Sequence, residues 1–217
     1  MRSIGFVAGT PVLTPGGLVP IESVGSGTEV VAATPDGQGT VTCRVLDAVV
    51  DHQVPLVHLL YETERMDFLV CGWRQLIYAQ SAESWVWGVE TPGWVEAAEA
   101  PIDIFLHCAT PDRARLLQAA MVVRSSVPTR GFLQPSGMDQ ATGAWLDLSG
   151  DLPKTIPHPG FLANPRAQGL VLNDLDVDLL PVEQRSFRSN TYSLVLPGPL
   201  GYFVGATPVL TAAHGGA

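Results

Sequence analysis

Short runs of alternating hydrophobic and polar residues, separated by glycine and proline, extend along most of the chain. The run Val12-Leu13-Thr14 is followed by Pro15-Gly16-Gly17 and Leu18-Val19-Pro20-Ile21, which predicts a strand, a tight turn and a second strand. The 22 Gly and 18 Pro residues disfavour long helices. We therefore predict a mainly β protein, with further strands over residues 29–33, 40–52, 54–61 and 67–79 and a closing strand pair over 191–196 and 202–211.

One segment has the features of a helix. Thr110 is suited to the N-cap and Pro111 to the first helical position. Leucine, alanine and methionine recur at helical spacing over residues 116–121, and Pro128 would stop the helix. We predict one short helix here.

The amino-acid composition changes between about residue 125 and residue 188, where Pro, Gly and Asp are frequent. We interpret this segment as irregular, with a short strand at residues 169–172. Asp174, Asp176 and Asp178 alternate with apolar residues and could place three carboxylates on one face of a strand. The alternatives are a solvated acidic strand and a calcium site, although the EF-hand pattern is absent.

Charge and cysteine content limit the possible partners. The formal net charge is −9, which disfavours nucleic acid as a partner. Only 15% of the residues are charged, so we expect some apolar surface to meet another protein. Cys43, Cys71 and Cys108 are too far apart in sequence for a zinc motif and fit reduced thiols. We expect no signal peptide and no membrane span, and therefore cytoplasmic synthesis.

The two ends of the sequence resemble a known family. The opening block reads Gly5-Phe6-Val7-Ala8-Gly9-Thr10, and Ile21-Glu22-Ser23-Val24 and Gly27-Thr28-Glu29-Val30-Val31 follow it. This order is similar to the opening of Hint (Hedgehog/intein) domains, which usually read Cys-Phe-x-x-Gly-Thr and then Ile-Glu-x-(Val/Leu)-x-x-Gly-Asp-x-Val. Weaker likenesses to later family blocks occur at residues 45–58, 67–78, 93–97 and 192–210.

The resemblance implies a pseudo-twofold β horseshoe whose two chain ends lie in adjacent central strands. It assigns residues 1–100 and 189–217 to a Hint-like domain and residues 101–188 to an insertion or accessory subdomain that contains the short helix.

The resemblance also implies where self-processing chemistry would lie. Family chemistry begins with a thiol or hydroxyl at the first residue of the opening block, and here that residue is Gly5. Ser3 is a possible substitute, although it would lie about 6–7 Å away along a strand. Only four residues precede Gly5 and three follow His214, so we expect little for such a domain to release.

The other family groups are also altered. The Thr-x-x-His motif matches Cys71-Gly72-Trp73-Arg74, and arginine does not exchange protons near neutral pH. We expect Arg74 in a structural ion pair, with Glu62, Glu64 or Asp67 as partner. The terminal His-Asn pair is represented by His214, displaced by two residues and followed by glycine, so a solvated tail histidine is the alternative.

Three further patterns are candidate sites. His52 and His58 could form a metal pair on one strand face or lie on a hairpin surface. Cys108 follows His107 and could be a reactive thiol, although adjacent strand residues face opposite ways. The last pattern is a group of tryptophans that could form a carbohydrate or peptide platform, or pack in the core: Trp73, Trp85, Trp87 and Trp94.

These observations together predict a degenerate, free-standing Hint-fold protein of bacterial or phage type. We expect no catalytic residue, so that Gly5, Cys71, Arg74 and His214 are vestigial, and we expect no cofactor. The expected partners are protein subunits, either copies of this chain or components of a larger assembly such as a phage particle. The alternatives are self-processing by an unusual nucleophile (Ser3, Cys71 or Cys108) and binding of a small ligand or peptide.

Overall fold

The computed structural model describes residues 4–34, 37, 39–81, 93–111, 113–125, 128–133, 144–157 and 182–215 of the 217-residue chain. Strands form nearly all of the regular structure in these ranges. The short helices are a 3-10 turn at Ile21–Ser23 and α1 at Val182–Arg185. The strands are β1 Pro11–Thr14, β2 Gly17–Pro20, β3 Glu29–Ala33, β4 Thr40–Arg44, β5 Asp47–Glu62, β6 Met66–Gly72, β7 Leu76–Ser81, β8 Gly93–Glu96, β9 Phe105–Leu106, β10 Ala114–Arg124, β11 Arg130–Leu133, β12 Ala144–Asp147, β13 Lys154–Pro157, β14 Arg188–Val195, β15 Gly201–Val204 and β16 Val209–Ala212.

These strands form one curled, antiparallel half-barrel, which confirms the predicted mainly β fold. The main path runs β13-β12-β11-β10-β9-β7-β16-β15-β1-β2. The long strand β5 pairs with β6, β10 and β14, and β3 joins β15 to β4. The largest apolar cluster includes Phe6, Leu59, Ile77 and Tyr202, so the main core lies between the first and last strands of the chain.

The predicted helix after Thr110 is wrong, because residues 114–124 form strand β10. β10 pairs with β5 from Arg115 opposite Glu62 to Met121 opposite Val57. A bulge between Leu116 and Gln118 interrupts the two-residue alternation, which gives the sequence its apparent helical spacing. Pairing with β5 outweighs the helix preference of the leucines and alanines.

Several predicted strands also divide where the chain changes partners. Residues 40–52 break at Val45 and Leu46, whose N–H groups donate to Thr28 O and Val195 O. Residues 67–79 break at a turn formed by Trp73 and Arg74. The closing pair is wrong in its pairing, because β14 pairs with β5 while β15 and β16 pair with each other.

The segment after residue 100 continues the same sheet. β9 pairs with β7, and β10 pairs with β9 and β5. The division of the chain into a Hint-like domain and an insertion over residues 101–188 stays a prediction. Within the described part of the chain, no helix has the length and apolar character needed to cross a membrane.

Candidate functional site

The opening segment runs through the centre of the fold between β14 and β6. Phe6 forms β-bridges with both Tyr192 and Cys71. The N–H of Phe6 donates to Tyr192 O at 2.9 Å, and the N–H of Gly72 donates to Gly5 O at 2.8 Å. The backbone of Gly5 is therefore held between two strands.

The peptide bond between Ile4 and Gly5 has hydrogen bonds on both sides. The Gly5 N–H donates to Gln75 Oε1 at 2.7 Å. The Thr191 hydroxyl donates to Ile4 O at 2.6 Å. We call this arrangement of Ile4, Gly5, Gln75 and Thr191 the peptide clamp. Its two side chains can polarise the peptide, but a neutral amide and a hydroxyl carry no readily exchanged proton at neutral pH.

Gln75 also ties the opening segment to the last strand. Its side chain is buried, and Nε2 lies 2.6 Å from Thr211 Oγ1 and 3.1 Å from both Ala212 O and Leu76 O. The Thr211 hydroxyl donates in turn to Leu76 O at 2.8 Å. Because Gln75 offers both a carbonyl oxygen and an N–H₂ group, one buried residue joins both ends of the chain.

Gly5 has no room for a side chain. Its φ is +93°, a conformation that L residues rarely adopt. A Cβ atom built on Gly5 would lie 2.7 Å from Tyr192 O and 3.2 Å from Thr191 Cβ. Since Tyr192 O accepts the Phe6 N–H bond, it cannot withdraw without breaking the pairing with β14. The position matched to the family's nucleophile is therefore closed by backbone.

The two buried cysteines are poorly placed to act as nucleophiles. Cys71 is fully buried on β6, and burial raises the pKa of its thiol far above the ordinary value. Cys108 is also buried, with Sγ 3.7 Å from Leu106 O. A thiol attacks as the thiolate, which burial in apolar surroundings disfavours. Burial also lowers the pKa of the neighbouring His107, whose ring packs against Tyr78 and Phe203.

Arg74 lies outside the peptide clamp. It is exposed, and its guanidinium lies over the Trp73 ring at 5.5 Å from the centroid. Of the expected ion-pair partners, Glu62 pairs instead with Arg115 at 3.3 Å, and Asp67 accepts from Tyr61 and Thr207. Among the described residues Arg74 forms no ion pair with Glu62, Glu64 or Asp67, so the expected structural ion pair is wrong.

His214 contacts β14 near the end of the chain. Its Nδ1 lies 3.2 Å from Ser193 Oγ, and its backbone N–H donates to Leu194 O at 2.8 Å. Among the described residues, none of its hydrogen bonds reaches Gly5. His214 is thus docked on β14 rather than being a fully solvated tail residue.

The structure separates the paired histidines and divides the described tryptophans between clusters. His52 is exposed and contacts Asn190, whereas His58 is buried against Phe68. Six residues of strand span roughly 20 Å, so the two rings are too far apart for one metal. Trp73 packs on the main core, whereas Trp94 belongs to a separate cluster.

Several candidates lie outside the described residues, namely Ser3, Trp85, Trp87, the segment 169–172 and the aspartates Asp174, Asp176 and Asp178. In the described ranges, His, Cys, Asp and Glu side chains form no group of three that could hold a metal ion.

Sequence reasoning missed Gln75 and Thr191. The Thr-x-x-His motif was matched to Cys71 and Arg74. A match one residue further along the chain places Gln75 at the histidine position. A polar residue directly before the apolar run Leu76-Ile77-Tyr78 was the available signal. Nothing in the sequence marks Thr191, because its role depends on how β14 meets the opening segment.

No family model and no curated protein matches the sequence. Solved structures do match over nearly the whole chain. A bacterial intein-like domain from Clostridium thermocellum has a TM-score of 0.54 and 17% identity, covering 96% of this chain and 97% of that one. The chain has the intein fold.

A DnaB intein from Synechocystis matches as well, with a TM-score of 0.51 and 10% identity, covering 97% of this chain and 98% of that one. The resemblance to Hint domains is therefore confirmed as a likeness of fold. Within this intein fold, the position matched to the nucleophile is occupied by the closed backbone of Gly5.

Proposed function

We propose that this chain is an intein-fold protein that does not process itself and acts as a structural or interaction module. The observation that carries the proposal is the enclosure of Gly5. A processing domain needs a nucleophile beside the peptide bond that it breaks and a group that can protonate the leaving amine. Gly5 supplies no nucleophile, and the Gln75 amide that faces the peptide N–H has no proton to donate through Oε1.

The peptide clamp supports a structural role for the same residues. Gln75 joins Gly5 to Thr211 and Ala212, and Thr191 joins Ile4 to β14. Buried hydrogen bonds of this kind stabilise one arrangement of the strands, because breaking any of them leaves an unsatisfied buried group. Side chains that face the centre of the intein fold therefore hold the two chain ends together.

The second candidate function is self-processing by an unusual route. One observation favours it: the Thr191 hydroxyl donates to Ile4 O and would stabilise negative charge developing on that oxygen. The buried thiols of Cys71 and Cys108 weigh against it.

Intact mass after expression separates these candidates. The unaltered chain and a Gly5→Cys variant are each produced with a segment appended at both ends. We expect full-length protein from the unaltered chain and from Gly5→Cys over several days, with or without added thiol. Release of a segment by the unaltered chain overturns the proposal. Cleavage by Gly5→Cys contradicts the argument that backbone closes the centre.

The interaction role is supported by large apolar side chains at the surface. Leu46, Met66 and Leu152 are each more than half exposed, in a chain with few charges. We propose that exposed apolar side chains such as these meet other protein subunits, as in a larger assembly such as a phage or phage-like particle. Recovery of the chain at stoichiometric levels in a purified particle is the expected result. A strictly monomeric chain that is found in no assembly contradicts the role.

A further inference from the structure

The strand β4 is an edge of the sheet that the described residues form. Among the described strands it pairs with β3 alone. Thr40, Val41, Thr42 and Arg44 are exposed, and Cys43 is half-buried. No described strand pairs with the side of β4 away from β3, and four of its five residues are exposed.

Two other edge strands of the described sheet, β2 and β13, carry residues that discourage pairing. β2 ends at Pro20, and β13 begins at Lys154 and ends at Pro157. Lysine and proline at an edge discourage pairing with another chain. The sequence of β4, TVTCR, contains neither residue and has three β-branched side chains. Its one charge, on Arg44, lies 3.6 Å from Glu29 on β3.

The inner face of β4 continues the core without completing it. Cys43 lies opposite Val30 and Val41 lies opposite Ala32, and both of those β3 residues are fully buried. Val41 and Cys43 therefore lie on the core side of the sheet, yet Val41 is 41% exposed. A further strand beside β4, with apolar residues at alternate positions, would cover them.

We propose that β4 pairs with β4 of a second copy of this chain, antiparallel and centred on Thr42. This inference rests on the proposed interaction role and names its partner. In that register Val41 of each copy lies opposite Cys43 of the other, which forms an apolar quartet continuous with both cores. Thr42 lies opposite Thr42 on the outer face, and Arg44 lies opposite Thr40, so no like charges face each other.

The size of the contact sets the strength of the association. Two five-residue strands bury less than the roughly 1,200 Å² of a typical specific interface. The association is therefore expected to be weak by itself and stronger when copies are held close together, as in an assembly.

Sedimentation velocity from micromolar to near-millimolar concentration tests the proposal on the full chain. We expect a monomer–dimer equilibrium that Thr42→Lys weakens by roughly fivefold or more, because two ammonium groups would lie opposite each other. Thr63→Lys adds the same charge at a half-buried position in the turn between β5 and β6 and should leave the equilibrium unchanged. Thermal melts of both variants check that the fold is intact.

Cross-linking tests the register. In a Cys43→Ala background, Thr42→Cys should form a dimer on mild oxidation, because cross-strand Cβ atoms lie about 4.5–5.5 Å apart. Thr63→Cys in the same background is the matched control. The proposal is overturned by a monomer at all concentrations, or by a Thr42→Cys protein that cross-links no faster than the control.

The outcomes also separate this inference from the proposed function. A chain that stays intact but never dimerises removes the β4 pairing and leaves the non-processing role standing. If Thr42→Lys blocks incorporation into a larger assembly while the isolated chain is monomeric, β4 is used by a different protein and the second-copy proposal fails. Release of an appended segment would overturn the proposed function without bearing on the dimer.

Discussion

The peptide clamp and the β4 edge have opposite surroundings. At Gly5 the neighbouring backbone leaves no space for one added carbon, and both sides of the Ile4–Gly5 peptide are hydrogen-bonded. On β4 four of five residues are exposed. The difference supports the proposed function. In that proposal the centre holds the chain ends together, and exposed strands make the contacts with other proteins.

The largest expected effect follows from filling the closed position. Gly5→Ala should lower the free energy of unfolding by about 4 kcal/mol, since it combines a left-handed backbone conformation with a backbone clash at Tyr192 O. Urea unfolding measures the change. Gly25→Ala is the matched control, because a Cβ at Gly25 meets nothing within 4 Å, and it should change stability by less than about 0.5 kcal/mol. Equal effects of the two substitutions would contradict the closed centre.

The next effect comes from removing the amide that joins the chain ends. Gln75→Leu should cost about 3 kcal/mol, because Gly5 N–H and Ala212 O lose a buried partner. Hydrogen exchange at the Gly5 amide should accelerate in the variant, which equilibrium unfolding alone would not reveal. Gln80→Leu changes the same residue type at an exposed position of β7 and should leave both measurements unchanged. An unaltered exchange rate at Gly5 in Gln75→Leu would argue against the clamp.

The same contrast explains which features the sequence could predict. β1, β2 and β3 follow from local signals, since Pro15, Gly16 and Gly17 define a turn and residues 29–33 form an apolar run. The resemblance at the chain ends led to Gly5, because a glycine at that position removes the side chain that the family uses. Both inferences depend on residues close together in sequence.

Long-range pairing was not predictable from the sequence. The helix predicted after Thr110 has good local signals, but β5 pairs with the whole segment as a strand. The motif match placed Arg74 at the histidine position, one residue before Gln75. The turn after β6 decides which of the two side chains faces Gly5. In both cases a contact between residues far apart in sequence determines the outcome.

A third effect concerns His58, which is buried with 2% of its surface exposed between β5 and β13. Its Nε2 lies 3.5 Å from Thr155 Oγ1, and its Nδ1 has no hydrogen-bond partner among the described residues. Burial lowers the pKa of His58 to about 4, whereas the unfolded chain keeps a pKa of about 6.5. Between these values the unfolded state binds the proton first, so stability falls as the pH falls.

The expected contribution of His58 is a loss of about 2 kcal/mol between pH 7 and pH 5. Urea unfolding of the unaltered chain and of His58→Leu at several pH values measures it, and the difference between the two should grow as the pH falls through 6. His52→Leu, at an exposed position of the same strand, should keep the pH dependence of the unaltered chain. A His58→Leu protein with an unchanged pH profile would show that His58 is not held neutral by the fold.

The smallest expected effect comes from making the same substitution, Thr→Val, in the peptide clamp and on β4. Thr→Val keeps the side-chain shape and removes only the hydroxyl. Thr191→Val should cost about 1 kcal/mol, because Ile4 O loses the hydroxyl that donates to it at 2.6 Å. Thr42→Val should change the unfolding free energy by less than about 0.5 kcal/mol, because Thr42 is exposed on an edge strand. If the two substitutions had the same effect, the Thr191 hydroxyl would contribute no more to the free energy of unfolding than the solvent-exposed hydroxyl of Thr42. The clamp would then depend on Gln75 alone, and the Ile4 carbonyl would have to be satisfied by solvent.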